Sequence, residues 1–262
     1  MKTISTPKEA STVIMMRPAI DREYGPFEVL MVQRHPDSLF VPDCHVFPGG
    51  CIDDDDCSME LESFCRGLDR QRAFQILVDM PNEATALGAW VAATRETYEE
   101  TGIFLSSDRL DLTNLACCRR QLLDGKASFT DILKMEKWTL SLDRLKYFAH
   151  WITPEFLPYR YDVRFFVTVA PEGQEAMHDG IELIGHTWIT PRRALGEYEQ
   201  NRFNMVLPTI VTLRELDRFD SIEAIIQSAE AKSVPSILTK VTKKDGRLVE
   251  IMPDGKIFSP VL

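Results

Sequence analysis

The sequence predicts one α+β domain, and three observations support this prediction. Short runs of β-branched and apolar residues alternate with helical patterns along the chain. No linker rich in Pro, Gly or Ser is long enough to separate two domains. The chain has 262 residues, of which 44 % are hydrophobic and 27 % are charged, as in an ordinary globular protein. We therefore expect residues 1–262 to form a single domain.

The first part of the chain predicts strands followed by helices. Strands are predicted over residues 12–16, 27–33 and 45–47. A turn cluster joins the first two strands as a hairpin, and the third ends at Pro48-Gly49-Gly50. Residues 51–80 contain helical patterns. The clearest helix of the sequence follows: Asn82 is a suitable N-cap and Gly102 a suitable C-terminal stop.

The second part predicts the remaining elements in the same way. Short helical pieces are expected around residues 119–138, and strands over 146–152, 163–170 and 186–189. Thr190-Pro191 opens a further helix. Helices are then expected over 208–217 and 221–232, and a hairpin joins 237–242 to 248–252 across Lys244-Asp245-Gly246.

The charge balance restricts the partners. Acidic residues outnumber basic ones by 40 to 30, for a formal net charge of −10. Such a surface repels nucleic-acid polymers and anionic membranes. A phosphorylated small substrate would need a metal ion or local arginines to offset this field.

Targeting signals and cysteines indicate the compartment. No apolar run is long enough to span a membrane, and Met1–Ala10 lacks the apolar core of a signal peptide. The six cysteines form no C-x-x-C pair, so free thiols in a reducing cytoplasm are expected. A homodimer is compatible with the sequence.

The predicted helix 82–102 carries a cluster of carboxylates. At about 100° per residue, Glu96, Glu99 and Glu100 fall on one face within one turn. They repel one another, and the helix dipole disfavours them near a C-terminus. Clustered carboxylate oxygens are the ligands that Mg²⁺ or Mn²⁺ prefers. A solvated acidic helix face is the alternative, and the three residues alone do not decide between the two.

The sequence around this cluster resembles the signature of the Nudix hydrolase family, G-x5-E-x7-R-E-U-x-E-E-x-G-U, where U is apolar. The matching residues are Gly50, within F-P-G-G, and Arg95, Glu96, Glu99, Glu100, Gly102 and Ile103. The resemblance implies an α/β/α sandwich with a mixed central sheet. It also implies a helical insertion over residues 51–82 inside the box and a C-terminal extension over about 203–262.

Two features depart from the signature. Leu87 stands eight residues before Arg95, where the family has glutamate, and 31 extra residues separate it from Gly50. Loss of this glutamate leaves the ion pairing of Arg95 undefined. The acidic run Asp53–Asp56 lacks the spacing of a calcium loop, so we expect a solvated turn.

The resemblance implies the catalytic groups. Glu96, Glu99 and Glu100 would bind one to three Mg²⁺ or Mn²⁺ ions together with a backbone carbonyl near Gly49-Gly50. Glu96 or Glu99 would orient or deprotonate the attacking water, and Arg95 belongs to the same motif. In some family members the base lies in a later loop, where Glu182 is the candidate, although a surface glutamate is the simpler interpretation.

The segment before the box indicates a substrate. Arg34 and Asp53, with F-P-G-G between them, are similar to the coenzyme A motif L-L-T-x-R-[SA]-x3-R-x3-G-x3-F-P-G-G-x-x-D, although Leu39 and Asp43 replace its second arginine and its glycine. The whole arrangement resembles the Nudix 19 group of coenzyme A diphosphatases. These enzymes cleave coenzyme A or acyl-CoA into 3′,5′-ADP and 4′-phosphopantetheine or its acyl form.

Arginines are suited to the phosphates of such a substrate. Arg34, Arg160 and Arg164 are the candidates, each near a strand end, although Arg164 could instead pair with Asp162. Two alternatives stay open: a Nudix diphosphatase for ADP-ribose, a nucleotide sugar or a dinucleoside polyphosphate, and a catalytically silent Nudix-fold binding module.

Overall fold

The computed structural model describes residues 5–244 and 246–258 of the chain. The strands are β1 (Lys8–Pro18), β2 (Phe27–Arg34), β3 (His45–Val46), β4 (Gly49–Cys51), β5 (Cys65–Arg66), β6 (Leu140–Ser141), β7 (Lys146–Ile152), β8 (Tyr161–Val169), β9 (Leu183–Ile189), β10 (Ser236–Leu238), β11 (Lys240–Lys244), β12 (Arg247–Ile251) and β13 (Ile257–Phe258). The helices are α1 (Met59–Glu62), α2 (Arg70–Ile76), α3 (Glu83–Thr101), α4 (Leu112–Leu123), α5 (Phe129–Glu136), α6 (Pro191–Glu199), α7 (Leu207–Leu216) and α8 (Ile222–Ala231). Two 3₁₀ turns, Asp55–Cys57 and Leu142–Arg144, complete the set.

A mixed sheet of eight strands forms the centre of the domain. Its order is β10-β7-β8-β1-β2-β3, with β4 also paired to β1 and β9 to β2. Strand β1 runs parallel to β8 and antiparallel to β2 and β4. Alternate residues of β1 face opposite sides: Val13 and Met15 lie in one core, and Ile14 and Met16 in the other.

Helices cover both faces of the sheet. The core on one side contains buried residues of α3, α4 and α5, including Trp90, Leu115 and Ile132. The core on the other side contains residues of α7 and α8, including Leu213 and Ile225. The expected α/β/α arrangement around a mixed sheet is therefore confirmed.

Helix α3 has the predicted ends. The Asn82 side chain accepts a hydrogen bond from the Thr85 N–H, as an N-cap does. Gly102 has a φ of 75° and donates its N–H to the Tyr98 carbonyl. Glycine has no Cβ and therefore adopts this left-handed conformation easily, so Gly102 determines where the helix ends.

Other boundaries differ from the predictions. The expected helical region 119–138 is two helices, α4 and α5, and the first strand is longer than the run 12–16. In the tail, Ser236–Leu238 pairs parallel with β7, while Lys240–Lys244 pairs with Arg247–Ile251. The first strand of the tail hairpin is therefore Lys240–Lys244, and the preceding residues Ser236–Leu238 belong to the central sheet. Asp245, in the turn of the hairpin, lies outside the described residues.

Two further expectations concern the thiols and membranes. All six cysteines are free, as predicted. Within residues 5–244 and 246–258, no helix has both the length and the apolar character that a membrane span requires.

Candidate active site

Helix α3 and the Gly49-Gly50 segment of β4 meet at the predicted carboxylates. The Gly49 N–H donates a 2.8 Å hydrogen bond to Oε2 of Glu100, which is buried. A Cβ on Gly50 would lie 2.3 Å from Cδ of Glu96. Only glycine leaves room for the Glu96 carboxylate at this position. The structure therefore brings both halves of the motif together, as the resemblance implied.

Arg95 holds two of these glutamates. Its Nη1 donates to Glu96 Oε1 at 2.9 Å and to Glu99 Oε2 at 3.3 Å. Its Nη2 also donates to the Cys51 carbonyl at 3.0 Å, which ties the helix to β4. Arg95 is buried, so these contacts position the glutamates and the guanidinium does not reach into solvent.

The main counterion of Arg95 is Asp56, which sequence reasoning missed. Nε and Nη2 of Arg95 donate to the two carboxylate oxygens of Asp56 at 2.9 and 2.8 Å. Asp56 is only 2 % exposed. The expectation of a solvated turn over Asp53–Asp56 therefore does not hold for its last residue, because a buried guanidinium requires a buried partner.

This contact also relocates the insertion. Asp56 is the sixth residue after Gly50, so the chain reads G-x5-D, with aspartate where the family has glutamate. The 38 residues from 57 to 94 then replace seven in the signature, and the insertion follows Asp56. Leu87, predicted to stand at the glutamate position, is buried in the core instead. The five-residue spacing after Gly50, which the signature prescribes, is the sequence signal that identifies Asp56.

The 3₁₀ turn that carries Asp56 packs directly on helix α3. A Cβ on Gly88 would lie 2.7 Å from Sγ of Cys57. Gly88 stands seven residues before Arg95, about two helical turns, so both residues lie on the same face of the helix. The close approach at Gly88 therefore sets Asp56 beneath Arg95.

Burial and mutual repulsion disfavour the ionised state of the glutamates. Burial raises the pKa of Glu96 to about 7, with Arg95 opposing the rise and Glu99 adding to it. Burial likewise raises the pKa of Glu99, against the influence of Arg95. The pKa of Glu100 is raised well above its usual range by burial and then by Glu96. Additional positive charge at this site would reverse these shifts.

The donor set fits a hard divalent cation. Glu96, Glu99 and Asp56 share one guanidinium, Glu100 lies at Gly49, and carboxylate oxygens are the preferred ligands of such ions. In the part of the chain that the structure describes, no three acidic, His or Cys side chains already converge on one metal position. Glu96 and Glu99 each give one oxygen to Arg95, and Glu100 gives one to Gly49; within the described residues the second oxygen of each carboxylate has no hydrogen-bond partner and is available to an ion.

Arg34 and Glu182 lie near the buried Glu100. Both are close enough to change its pKa: Arg34 lowers it and Glu182 raises it, although burial has the larger effect. The carbonyl of Glu182 accepts a hydrogen bond from the N–H of His35, the residue after Arg34, and its side chain is exposed. The structure thus brings these two candidates to one side of the glutamate cluster.

Arg160 and Arg164 have other partners. The Arg164 side chain is fully buried and pairs with Glu9, with Asp79 at 3.0 Å and with Asp162 at 3.0 Å. Arg160 donates to the carbonyls of Thr153 and Ser5. For Arg164 the structure shows the alternative that the sequence left open, an ion pair with Asp162. These contacts engage Nη1 and Nη2 of Arg164 and Nε and Nη1 of Arg160, so phosphate binding by either arginine stays a prediction that no contact of this structure supports.

Arg119 is a second residue without a predicted role. Its Nε and Nη2 donate to the Glu99 carbonyl at 3.0 and 2.8 Å, and Nη2 also donates to the Glu100 carbonyl at 2.9 Å. A cation at the last turn of a helix neutralises its unpaired carbonyls. Arg119 therefore anchors the end of α3 from which the glutamates project.

Comparison with solved structures shows the class of fold. The crystal structure of a Nudix hydrolase from Alicyclobacillus acidocaldarius matches with a TM-score of 0.66 and 23 % identity, covering 89 % of this chain and 100 % of that one. The family model of the NUDT19 Nudix domain matches residues 7–216. The chain therefore belongs to the NUDT19 Nudix domain family, which confirms the resemblance read from its motifs. Nudix hydrolases generally use divalent metal ions.

Two relatives with a curated name match over most of the chain. The acyl-coenzyme A diphosphatase NUDT19 of Xenopus laevis is 26 % identical over 235 residues, covering 76 % of this chain and 62 % of the relative. The Homo sapiens protein of the same name is 26 % identical over 272 residues, covering 88 % and 72 %. The match thus spans less than two thirds of the Xenopus protein.

Proposed function

We propose that this protein hydrolyses the diphosphate bond of coenzyme A or acyl-CoA with the help of Mg²⁺ or Mn²⁺. The products are 3′,5′-ADP and 4′-phosphopantetheine or its acyl form. The observation that carries the proposal is the cluster of Glu96, Glu99 and Glu100 against Gly49-Gly50, because clustered carboxylate oxygens are the ligands that such a cation prefers. The names of the relatives, acyl-coenzyme A diphosphatases, support the choice of substrate.

Each residue has a role in this reaction. Glu96, Glu99 and Glu100, with the Gly50 carbonyl, would hold the metal. When bound, the metal neutralises charge on the diphosphate and lowers the pKa of a water molecule. Arg95 keeps Glu96 and Glu99 in place, and Arg34 binds a phosphate oxygen.

The proton of the attacking water goes to a carboxylate oxygen. Glu96, Glu99 and Glu182 are the candidates; the first two lie on α3 and the third on the loop before β9. Attack at one phosphorus then breaks the phosphoanhydride bond and releases the other phosphate as the leaving group.

The backbone at Asp43 supports the coenzyme A motif despite the departure in sequence. Asp43 takes the place of the motif glycine, yet its φ is 53°, the left-handed region that glycine favours. Aspartate tolerates this region better than most residues. The loop conformation that the motif glycine permits is therefore present without the glycine.

A turnover assay with a matched control tests the proposal. Purified protein with Mg²⁺ or Mn²⁺ should release 3′,5′-ADP from coenzyme A, detected by chromatography. Glu99→Gln should reduce the release at least 100-fold, in the range seen when a charge-stabilising group is removed. Glu83→Gln alters an exposed glutamate at the start of the same helix and should leave it unchanged. Circular dichroism would check that both variants fold; full activity in Glu99→Gln would contradict the metal assignment.

The second candidate keeps the fold and changes the substrate. Leu39, which replaces the second motif arginine, is 83 % exposed and supplies no charge to a phosphate. A panel of coenzyme A, ADP-ribose, a nucleotide sugar and a dinucleoside polyphosphate would rank the substrates by kcat/KM. Binding without turnover of any of them would favour the silent module.

Assembly and location stay predictions at this point. A homodimer would appear in gel filtration with light scattering, and a fluorescent fusion would test the cytoplasmic location.

A further inference from the structure

Two aromatic rings lie beside Arg34 without belonging to a core. The ring centroids of Phe40 and Tyr161 are 4.8 Å apart and their planes are inclined by 58°. Both side chains are half-buried, and neither belongs to the hydrophobic cores on the two faces of the sheet. We call this pair the aromatic wedge. Since the neighbouring Phe165 and Phe166 do pack in the cores, the wedge is not explained by packing of β8.

Arg34 links the aromatic wedge to the glutamates. Its Nε donates to the Phe40 carbonyl at 3.1 Å. Burial raises the pKa of Tyr161, and Arg34 is close enough to oppose this rise, as it does for Glu100. Within residues 5–244 and 246–258, Arg34 forms no ion pair, and its Nη1 and Nη2 have no hydrogen-bond partner. Both terminal nitrogens of the guanidinium therefore remain available to a ligand.

The loop that carries Phe40 is held in an unfavourable backbone conformation. Val41 has a φ of 45°, which is rare for a β-branched residue, and its side chain is buried. Asp43, also left-handed, accepts hydrogen bonds from Gln33 at 2.9 Å and from Asn204 at 3.2 Å. Strained backbone persists where the surroundings fix it, and it concentrates at ligand sites. The backbone that follows Phe40 is thus held in one conformation.

We propose that Phe40, Tyr161 and Arg34 bind the nucleotide half of the substrate, with the purine base on the aromatic wedge and a nucleotide phosphate on Arg34. This inference rests on the proposed function and deepens it. A base offers a π-face that stacks on aromatic rings, whereas a pantetheine arm has none. The guanidinium fork suits a phosphate. The pantetheine half then leaves the diphosphate on the side away from the wedge.

Calorimetric titration of the two product halves tests the proposal without turnover. The ligands are adenosine 3′,5′-bisphosphate and 4′-phosphopantetheine, each added with Mg²⁺. Phe40→Leu should weaken binding of the bisphosphate at least tenfold, which is in the lower range for loss of one base stack. It should change the affinity for 4′-phosphopantetheine by less than twofold. Phe40→Trp should keep the bisphosphate affinity within about threefold, because the π-face is retained.

Three further variants sharpen the test. Tyr161→Leu should lower the affinity for the bisphosphate as Phe40→Leu does, and Arg34→Gln should lower it at least tenfold. Tyr159→Leu removes an exposed aromatic two residues away and should leave both affinities unchanged. Thermal melting would identify any variant that fails to fold, and Phe40→Trp then decides the outcome.

The results separate this inference from the proposed function. If the wild type binds no bisphosphate, or Phe40→Leu affects both halves equally or neither, the inference is overturned. If the wild type binds the bisphosphate through Phe40 but does not hydrolyse coenzyme A, the inference stands and the proposed function fails.

Discussion

Replacing Asp56 with asparagine removes the buried counterion of Arg95 while keeping the size of the side chain. The pair is bidentate, at 2.9 and 2.8 Å, and both side chains are at most 10 % exposed. Removing one partner of a buried ion pair costs about 3–5 kcal/mol. Arg95 keeps Glu96 at 2.9 Å, Glu99 at 3.3 Å and the Cys51 carbonyl at 3.0 Å, so we expect the lower end, about 3 kcal/mol.

Urea unfolding measures this loss. For a domain of this size, about 3 kcal/mol corresponds to a fall in Tm of roughly 6–12 °C. Asp55→Asn changes the neighbouring exposed carboxylate of the same 3₁₀ turn and should stay within about 0.5 kcal/mol of the wild type. If Asp56→Asn were as stable as Asp55→Asn, the buried pair would not hold this 3₁₀ turn on helix α3.

Two further predictions concern the glutamates. Gly50→Ala places a Cβ 2.3 Å from Cδ of Glu96, so we expect activity to fall at least tenfold with the fold retained. Gly196→Ala is the control, because nothing lies within 4 Å of the Cβ that it adds. Equal activities of the two variants would show that crowding at Glu96 does not matter. Without metal, Glu96 keeps its proton up to about pH 7 in the folded state, whereas the unfolded chain releases it near 4.5. Stability should therefore fall by about 3 kcal/mol as pH rises through this window. Mg²⁺ should reduce the fall, and so should Glu96→Gln; a urea midpoint that is independent of pH in the wild type would contradict this.

The parts of the fold that the sequence predicts are those with local causes. The ends of helix α3 follow from Asn82 and Gly102, which act on the adjacent turn of backbone. The parallel pairing of Ser236–Leu238 with β7 was not predicted. It joins residues that are far apart in sequence, and no local signal specifies the partner of a short strand.

The same distinction holds in the site. Glu96, Glu99 and Glu100 share a helical turn, so their spacing alone brings them together. Arg95 and Asp56 are 39 positions apart, and only packing of the 3₁₀ turn Asp55–Cys57 on Gly88 makes them neighbours. Arg164 and Arg34 have the same charge and similar positions near strand ends, so the sequence does not distinguish them. The structure does, because Arg164 is buried among carboxylates and Arg34 is not. Burial of this kind cannot be predicted from local sequence.

The charges around helix α3 also indicate the order in which ligands bind. Arg95 is the only basic group that the described structure pairs with the cluster, and Asp56, Glu96 and Glu99 already use its donors. It cannot attract a diphosphate while those contacts persist. Arg34 adds one positive charge near the buried Glu100, against a formal net charge of −10 for the whole chain. A diphosphate approaching the glutamates in their ionised state would therefore meet net repulsion, and a divalent cation that binds first would turn this into attraction. Under the proposed function, substrate affinity should rise with metal concentration until the glutamates are saturated, and an affinity independent of metal would contradict this order.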